Sequence, residues 1–205
     1  MNVEIFAKLM GAGKYAAPLA MACGRWGIVD RTDVARFIAQ LSVESAGFKH
    51  VVELTGWRAE SLFKTFKGRN GLGSVQEAQW LVDEGPQRVL NFVYGGSWGL
   101  QHLGNTEPND GWNFRGRGLI QTTGRSNYRD TSMGCYGNKS LLDEPDKLAT
   151  PDGAAESAAW YWYHRGLNDV EDVREVTRRI NGGLHQLDQR IAETERAYLL
   201  VDHAT

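Results

Sequence analysis

The sequence predicts a mainly α-helical protein, with two helical lobes around a central groove and little or no β-sheet. Apolar residues recur every three or four positions in several segments, which is the spacing of one helix face. Few segments alternate apolar and polar residues as a half-buried strand would. The 205 residues suit one domain, and the 41% that are hydrophobic are enough for a substantial core.

The N-terminal third is predicted to form consecutive helices. Residues 15–23 are interpreted as a core helix with a break at Pro18. A cleaved signal peptide is the less favoured interpretation, because this apolar run is short and follows Glu4. We therefore expect a chain without a signal peptide that begins at Met1 and is made in the cytoplasm.

A second helix is predicted to begin at Thr32, as its N-cap, with Asp33 in the first turn, where the helix dipole favours negative charge. Glu44 falls at the edge of the apolar stripe of this helix, a position that is costly for a charged carboxylate. The stripe consists of Val34, Phe37, Ile38 and Leu41.

Residues 55–112 are predicted to form a variable lobe of short helices, such as 74–82 and 87–94, joined by glycine-rich turns. Tryptophans lie among these turns, and their rings suit either a cleft wall or the core of a loop-rich lobe. The last third returns to helices at 152–163, 170–180 and 187–201, with Asn181-Gly182-Gly183 separating the last two.

Charge and composition argue against several classes of protein. Lys plus Arg number 23 and Asp plus Glu 25, and the net charge of −2 gives no basis for general nucleic-acid binding. The Arg-Gly-Arg-Gly element at 115–118 is too small to change that expectation. Cys23 and Cys135 are predicted to be inert core thiols. The five histidines show no compact ligand spacing, so no metal site is expected.

Glu44 and Glu53 form the candidate catalytic pair. Glycoside hydrolysis needs one carboxyl that donates a proton and another that is ionised and activates water or attacks carbon. Desolvation beside an apolar face keeps a carboxyl neutral, which suits Glu44 as the acid, and an arginine beside Glu53 would keep the base ionised. On the residues alone, two unrelated glutamates among the 25 acidic residues remain the alternative.

Residues 110–128 form a second constellation, in which glycines alternate with polar side chains. The glycines allow the backbone to approach a ligand closely. Gln121, Thr123, Asn127 and Tyr128 supply the neutral donors and acceptors that sugar hydroxyl and acetamido groups require. The sequence therefore predicts a polar wall of a sugar-binding groove here.

Several separated motifs, taken in order, resemble those of glycoside hydrolase family 19. The resemblance extends from about Thr32 to Leu200 and is closest to the phage and prophage endolysin branch, through Tyr94-Gly95-Gly96 and residues 104–111. The motifs are Gln40-Leu41-Ser42-Val43-Glu44-Ser45, Glu53, Gly116-Arg117-Gly118-Leu119-Ile120-Gln121, Asn127-Tyr128, Ile180-Asn181-Gly182-Gly183 and Arg190-Ile191.

This resemblance implies a lysozyme-like, two-lobed helical fold with a central substrate cleft. It implies a single catalytic domain over residues 1–205, without a separate wall-binding domain. Glu44 would be the acid and Glu53 the base of an inverting reaction, with Thr123 helping to hold the attacking water. Substrate binding is expected of the remaining matched residues, with Arg190 also supporting the acidic network: Arg117, Gln121, Asn127, Tyr128, Asn181 and Arg190.

One departure from the family pattern is Val43, because many members have a histidine immediately before the acid. A hydrogen bond from that histidine is therefore missing here. Substrate choice is expected to reside in residues 55–112, which match the endolysin branch better than the plant enzymes.

The expected function is cleavage of β-1,4 bonds between the N-acetylated aminosugars of bacterial peptidoglycan, without a cofactor and by a monomer. The resemblance further implies a holin-type partner that permeabilises the membrane, so that an enzyme made in the host cytoplasm reaches the wall. Three alternatives stay open: a chitinase, a peptidoglycan-binding module without turnover, and a metal-dependent peptidase or amidase acting on the peptide stems.

Overall fold

The computed structural model describes residues 1–204 and is built from α-helices. These residues form no strand, and their β pairing is limited to two isolated bridges, Val52 with Arg117 and Arg117 with Thr122. The mainly helical prediction is confirmed. In chain order the helices are α1 (Val3–Leu9), α2 (Ala16–Arg25), α3 (Arg31–Glu44), α4 (Ala59–Phe66), α5 (Val75–Asp83), α6 (Pro86–Val93), α7 (Gly96–Leu103), α8 (Asp110–Asn113), α9 (Arg125–Tyr136), α10 (Ser140–Asp143), α11 (Pro151–His164), α12 (Val173–Asn181) and α13 (Leu187–Leu200).

The chain divides into two compact units. Unit 1 comprises Met1–Val51, Gly118–Gln121 and the chain from Asp146 onward, and unit 2 comprises Val52–Arg117 and Thr122–Pro145. Unit 2 thus contains the predicted variable lobe and also takes in residues 122–145. Among residues 1–204, no helix combines the length and apolar character needed to cross a bilayer.

Helix α3 is the central element of unit 1 and packs most extensively against α13. Its apolar stripe is buried as predicted, and Phe37 meets Trp162 of α11 in an edge-to-face contact with ring centroids 5.2 Å apart. Each fully buried Leu, Ile or Phe side chain stabilises the fold by about 1.5–3 kcal/mol. The burial of this stripe therefore fixes the helix that ends at Glu44.

The N-cap of α3 is Asp30, so the prediction of Thr32 was wrong. The Asp30 carboxylate accepts hydrogen bonds from the backbone N–H of Thr32 at 2.8 Å and of Asp33 at 3.3 Å. Thr32 lies inside the helix and donates its hydroxyl to the same carboxylate at 2.6 Å. Asp30 takes this role because its backbone is extended, as an N-cap requires.

The break predicted at Pro18 is absent, because Pro18 is the third residue of the continuous helix α2. The first turn of a helix has no acceptor for its N–H groups, so the missing donor of proline is harmless there. Cys23, in the same helix, is fully buried, and burial raises the pKa of its thiol to about 12. Its prediction as an inert core thiol agrees with this environment.

Unit 2 has its own core, formed where α4 packs on α5 and α6 packs on α8. Ser74 caps α5 by accepting from the Glu77 N–H at 3.1 Å, and the Glu77 carboxylate reaches back to the Gly73 N–H at 2.7 Å. This arrangement resembles a capping box, except that the carboxylate accepts from the residue before the cap and not from the cap itself. Pro86 begins α6, where its fixed φ suits the first helical position. The core includes Leu62, Leu72, Leu81, Leu90 and Val93.

Candidate active site

Glu44 is the last residue of α3, and its side chain is 18% exposed, so a ligand in solvent can reach it. The Arg190 guanidinium donates to its Oε1 at 2.5 Å. The apolar surroundings expected for this carboxyl therefore need correction, because a buried cation is its partner. The expectation of an arginine beside the base stays a prediction, and Arg190 pairs with the candidate acid.

Arg190 is only 2% exposed and is held on three sides within unit 1. Besides Glu44, its Nη1 donates to Gln40 Oε1 at 2.7 Å and its Nε to the His185 carbonyl at 3.0 Å. These contacts fit the predicted support of the acidic network by Arg190. Its predicted contact with substrate stays a prediction.

Asn181 builds the turn that presents the His185 carbonyl to Arg190. It ends α12, and its side chain accepts from the Gly183 N–H at 2.9 Å and donates to the His185 carbonyl at 3.4 Å. Gly182 takes a left-handed φ of 71°, which glycine adopts without steric cost. Asn181 is half-buried, so its predicted contact with substrate stays a prediction.

The position of Glu44 suits a carboxyl that gains negative charge during a reaction. Arg190 donates to this carboxyl and stabilises negative charge on it. A proton donor at this position therefore has a cation ready for its conjugate base.

Glu53, in unit 2, is held by two hydrogen-bond donors. The Tyr94 hydroxyl donates to Oε1 at 2.7 Å, and the Gly116 N–H donates to Oε2 at 3.1 Å. The Glu53 N–H also donates to the Gly116 carbonyl at 2.8 Å, which fixes the backbone beside the side chain. Donors to both oxygens orient the carboxylate and stabilise its negative charge, as a general base requires.

Tyr94 was not predicted as a site residue. Burial, and then the neighbouring Glu53 carboxylate, raise the pKa of its hydroxyl, so this group keeps its proton and acts as the donor. Phe66 contacts its ring edge-to-face at 6.3 Å, and Asn105 Nδ2 donates to its carbonyl at 2.9 Å. The sequence offered one signal, the Tyr-Gly-Gly stretch after α6, but nothing local linked it to Glu53.

Arg117 and Tyr128 are buried in unit 2 and form hydrogen bonds with each other and with nearby backbone carbonyls. Arg117 is 1% exposed and donates to the Asn113 carbonyl at 2.7 Å and to the Tyr128 hydroxyl at 2.9 Å. That hydroxyl donates in turn to the Arg115 carbonyl at 2.7 Å. Both side chains are buried and hold the backbone of residues 113–115, and their substrate-binding predictions stay predictions.

Gln121, Thr123 and Asn127 lie nearer the surface. Gln121 is half-buried in unit 1 and has a φ of 55°, which is uncommon for a residue other than glycine. Its Nε2 donates to the Gly118 carbonyl at 3.1 Å. In unit 2, exposed Asn127 donates to the carbonyl of half-buried Thr123 at 2.7 Å. The roles predicted for these three residues stay predictions.

A buried ion pair secures the loop before α8 to the start of α9 within unit 2. Asp110 is fully buried and accepts from Arg125 Nε at 2.7 Å and Nη2 at 2.6 Å, and also from the N–H groups of Thr106 and Glu107. Burial opposes its ionisation, but the hydrogen bonds from Arg125, Glu107 and Thr106 together lower its pKa. Arg125 begins the helix that follows Thr123.

Within residues 1–204, no three His, Cys, Asp or Glu side chains are grouped so that they could hold a metal ion. Gln40 is a further residue that was missed as a site residue, although it precedes Glu44 by one helical turn. Its contact with Arg190 follows from the packing of α3 on α13.

No family model matches the sequence. A glycosyl hydrolase family 19 domain-containing protein from Haemophilus influenzae is 33% identical over 178 residues, which cover 86% of this chain and 84% of that protein. Chitinase C from Streptomyces griseus HUT6037 matches with a TM-score of 0.65 and 17% identity, covering 98% of this chain and 92% of that one. This match confirms the lysozyme-like helical fold. The identity with the first relative shows that the chain belongs to glycosyl hydrolase family 19, a family of glycosidases.

Proposed function

We propose that this protein is an endolysin-type glycosidase that cleaves β-1,4 bonds between the aminosugars of bacterial peptidoglycan by inverting acid–base catalysis. One observation carries the proposal: the two candidate carboxyls are held by partners suited to different roles. Glu44 meets a buried guanidinium, and Glu53 accepts from Tyr94 and the Gly116 N–H.

In the proposed reaction, Glu44 gives its proton to the glycosidic oxygen as the bond from that oxygen to the anomeric carbon breaks. Water attacks the same carbon from the opposite face, and Glu53 accepts the proton that the water loses. Arg190 stabilises the Glu44 carboxylate that remains, and Thr123 helps to hold the water. No cofactor takes part in this proton transfer.

Peptidoglycan is the preferred substrate in this proposal because Tyr94-Gly95-Gly96 and residues 104–111 resemble the endolysin branch. The protein would be made as a monomer in the host cytoplasm and would reach the wall after a holin-type partner opens the membrane. Chitin oligomers are the second candidate substrate, favoured by the fold shared with a chitinase.

The test is the release of reducing ends from purified peptidoglycan by wild-type protein and by Glu44→Gln and Glu53→Gln variants. We expect each variant to lose about 10²–10⁴-fold in rate, the usual contribution of a general acid or base. Glu60→Gln is the matched control, because Glu60 is an exposed residue of α4, and its rate should be unchanged. Mass spectrometry of the fragments identifies the sugar that carries the new reducing end.

The stereochemistry of the product tests the inverting mechanism, and binding and chelation assays test the alternative functions. Freshly released product should have the inverted α-anomeric configuration, and a retained β-configuration would contradict the inverting mechanism. Binding to peptidoglycan without release of reducing ends would support a binding module instead. Loss of activity on treatment with a chelator would support the metal-dependent peptidase or amidase.

A further inference from the structure

Arg69 follows α4 in a short 3₁₀ helix, Arg69–Gly71, and is half-buried in unit 2. Its guanidinium carbon lies 3.5 Å from the centre of the Trp98 ring and 4.7 Å from that of Phe66. The next residue, Asn70, anchors the turn by donating to the carbonyls of Phe92 at 2.6 Å and Gly95 at 2.9 Å. The guanidinium is therefore held in place by its neighbours.

The guanidinium of Arg69 has no hydrogen-bond acceptor or ion-pair partner among residues 1–204, although partial burial lowers its pKa. Arginine nonetheless stays protonated in proteins, so this is a desolvated cation with unused donors. The other buried or half-buried arginines all donate to a protein oxygen: Arg36 to Asp33, Arg115 to Trp112, Arg117 to Asn113, Arg125 to Asp110 and Arg190 to Glu44.

Arg69 has two further cations near it in the sequence, and it is connected through Phe66 and Tyr94 to the proposed base. Lys64 and Lys67 are exposed on the same stretch of chain, and neither forms an ion pair within the described part of the structure. Arg69 also interacts electrostatically with Tyr94, the residue whose hydroxyl donates to Glu53. Phe66 contacts both the Arg69 guanidinium at 4.7 Å and the Tyr94 ring at 6.3 Å, so Arg69 shares a ring contact with the residue that donates to the proposed base.

A guanidinium presents its N–H groups as a planar fork that matches a carboxylate, and the contacts with Trp98 and Phe66 limit the movement of this one. Peptidoglycan carries carboxylates on the peptide stems of its muramyl residues, whereas chitin is an uncharged polymer. We propose that Arg69 binds a carboxylate of the muramyl peptide stem and thereby selects peptidoglycan over chitin. This inference rests on the proposed function and names the group that its substrate site recognises.

The test compares wild-type and Arg69→Gln proteins on native peptidoglycan, on the same peptidoglycan with its carboxylates converted to amides, and on chitin oligomers. On native peptidoglycan the variant should lose about 10- to 100-fold in kcat/KM, mainly through KM, as expected for lost charged hydrogen bonds. On the two substrates that lack carboxylates it should match wild-type protein. Amidation should slow the wild-type enzyme by a similar factor and leave the variant unaffected.

Two further variants separate charge recognition from packing. Arg69→Lys keeps the charge without the fork and should recover part of the loss. Arg88→Gln is the matched control, because Arg88 lies 5.1 Å from the Trp80 ring in the same unit but is exposed, and its substrate preference should not change.

An equal loss on all three substrates would overturn the proposal and assign Arg69 to ring packing. Unchanged activity of Arg69→Gln on native peptidoglycan would also overturn it, while leaving the proposed function intact. If the wild-type protein cleaved chitin oligomers and released no reducing ends from native peptidoglycan, the peptidoglycan function itself would fail, and Arg69 recognition with it.

Discussion

The two candidate catalytic carboxyls are held by donors of different chemistry. Arg190 is a permanent cation with acceptors on three sides, so it stabilises negative charge on Glu44 whenever that charge forms. Tyr94 is a neutral donor whose raised pKa keeps its proton in place, so it orients Glu53 without adding positive charge. At the scale of single residues, these partners distinguish the proposed acid from the proposed base.

Tyr94→Phe tests the second arrangement. The ring packing against Phe66 is kept while the hydrogen bond to Glu53 is lost, and such a bond to a charged group contributes about 1.5–3 kcal/mol. We expect kcat to fall about 10- to 100-fold with little change in KM. Steady-state kinetics check this, with exposed Tyr163→Phe as the control. A Tyr94→Phe enzyme with wild-type kcat would show that the Gly116 N–H alone positions the base.

At the scale of elements, helix ends hold the candidate acid and its arginine partner within unit 1. Helix α3 is started by the Asp30 cap and ends at Glu44, and α12 ends at Asn181, whose turn supplies the carbonyl that Arg190 binds. Helix α13 carries Arg190 against α3. The position of Glu44 therefore depends on how firmly α3 is capped and packed.

Asp30→Ala tests the cap. Loss of an N-cap carboxylate should lower the free energy of unfolding by about 0.5–2 kcal/mol. Thr32→Ala is the matched comparison, because Thr32 was the sequence-based choice but only donates its hydroxyl to Asp30, and its effect should be smaller. Urea denaturation of both variants measures the difference. A larger loss for Thr32→Ala would contradict the assignment of Asp30 as the cap.

At the scale of the whole molecule, buried charge links stability to pH. Asp110 is fully buried, and its pKa lies below the ordinary value of 3.8. A carboxyl with a lowered pKa in the folded state stabilises the fold above its unfolded pKa, and this contribution is lost as pH falls through the folded pKa. Acid should therefore weaken unit 2 where Asp110 binds Arg125.

Asp110→Asn should lower the free energy of unfolding by about 3–5 kcal/mol at pH 7, because it leaves Arg125 without its anion. The difference in the free energy of unfolding between wild-type and variant protein should become smaller below pH 3.8, as Asp110 becomes protonated. Asp130→Asn breaks an exposed pair and should cost less than about 1 kcal/mol. Denaturation at several pH values measures this difference. A difference that stays constant as the pH falls would contradict the claim that ionised Asp110 stabilises the fold.

The sequence by itself determined the helical fold and most helix positions, because helical periodicity and caps depend on residues three or four apart. It also supplied the two candidate glutamates, because the motifs that contain them are contiguous. It misplaced one cap and could not show that Arg117, Tyr128 and Arg190, which were expected to contact sugar, are buried. Only the tertiary structure decided the partners of the carboxyls: Arg190 is 146 residues from Glu44, and Tyr94 is 41 residues from Glu53. The physical reason is that tertiary packing brings each donor to a carboxyl that is distant in sequence, and no local sequence pattern predicts such a contact.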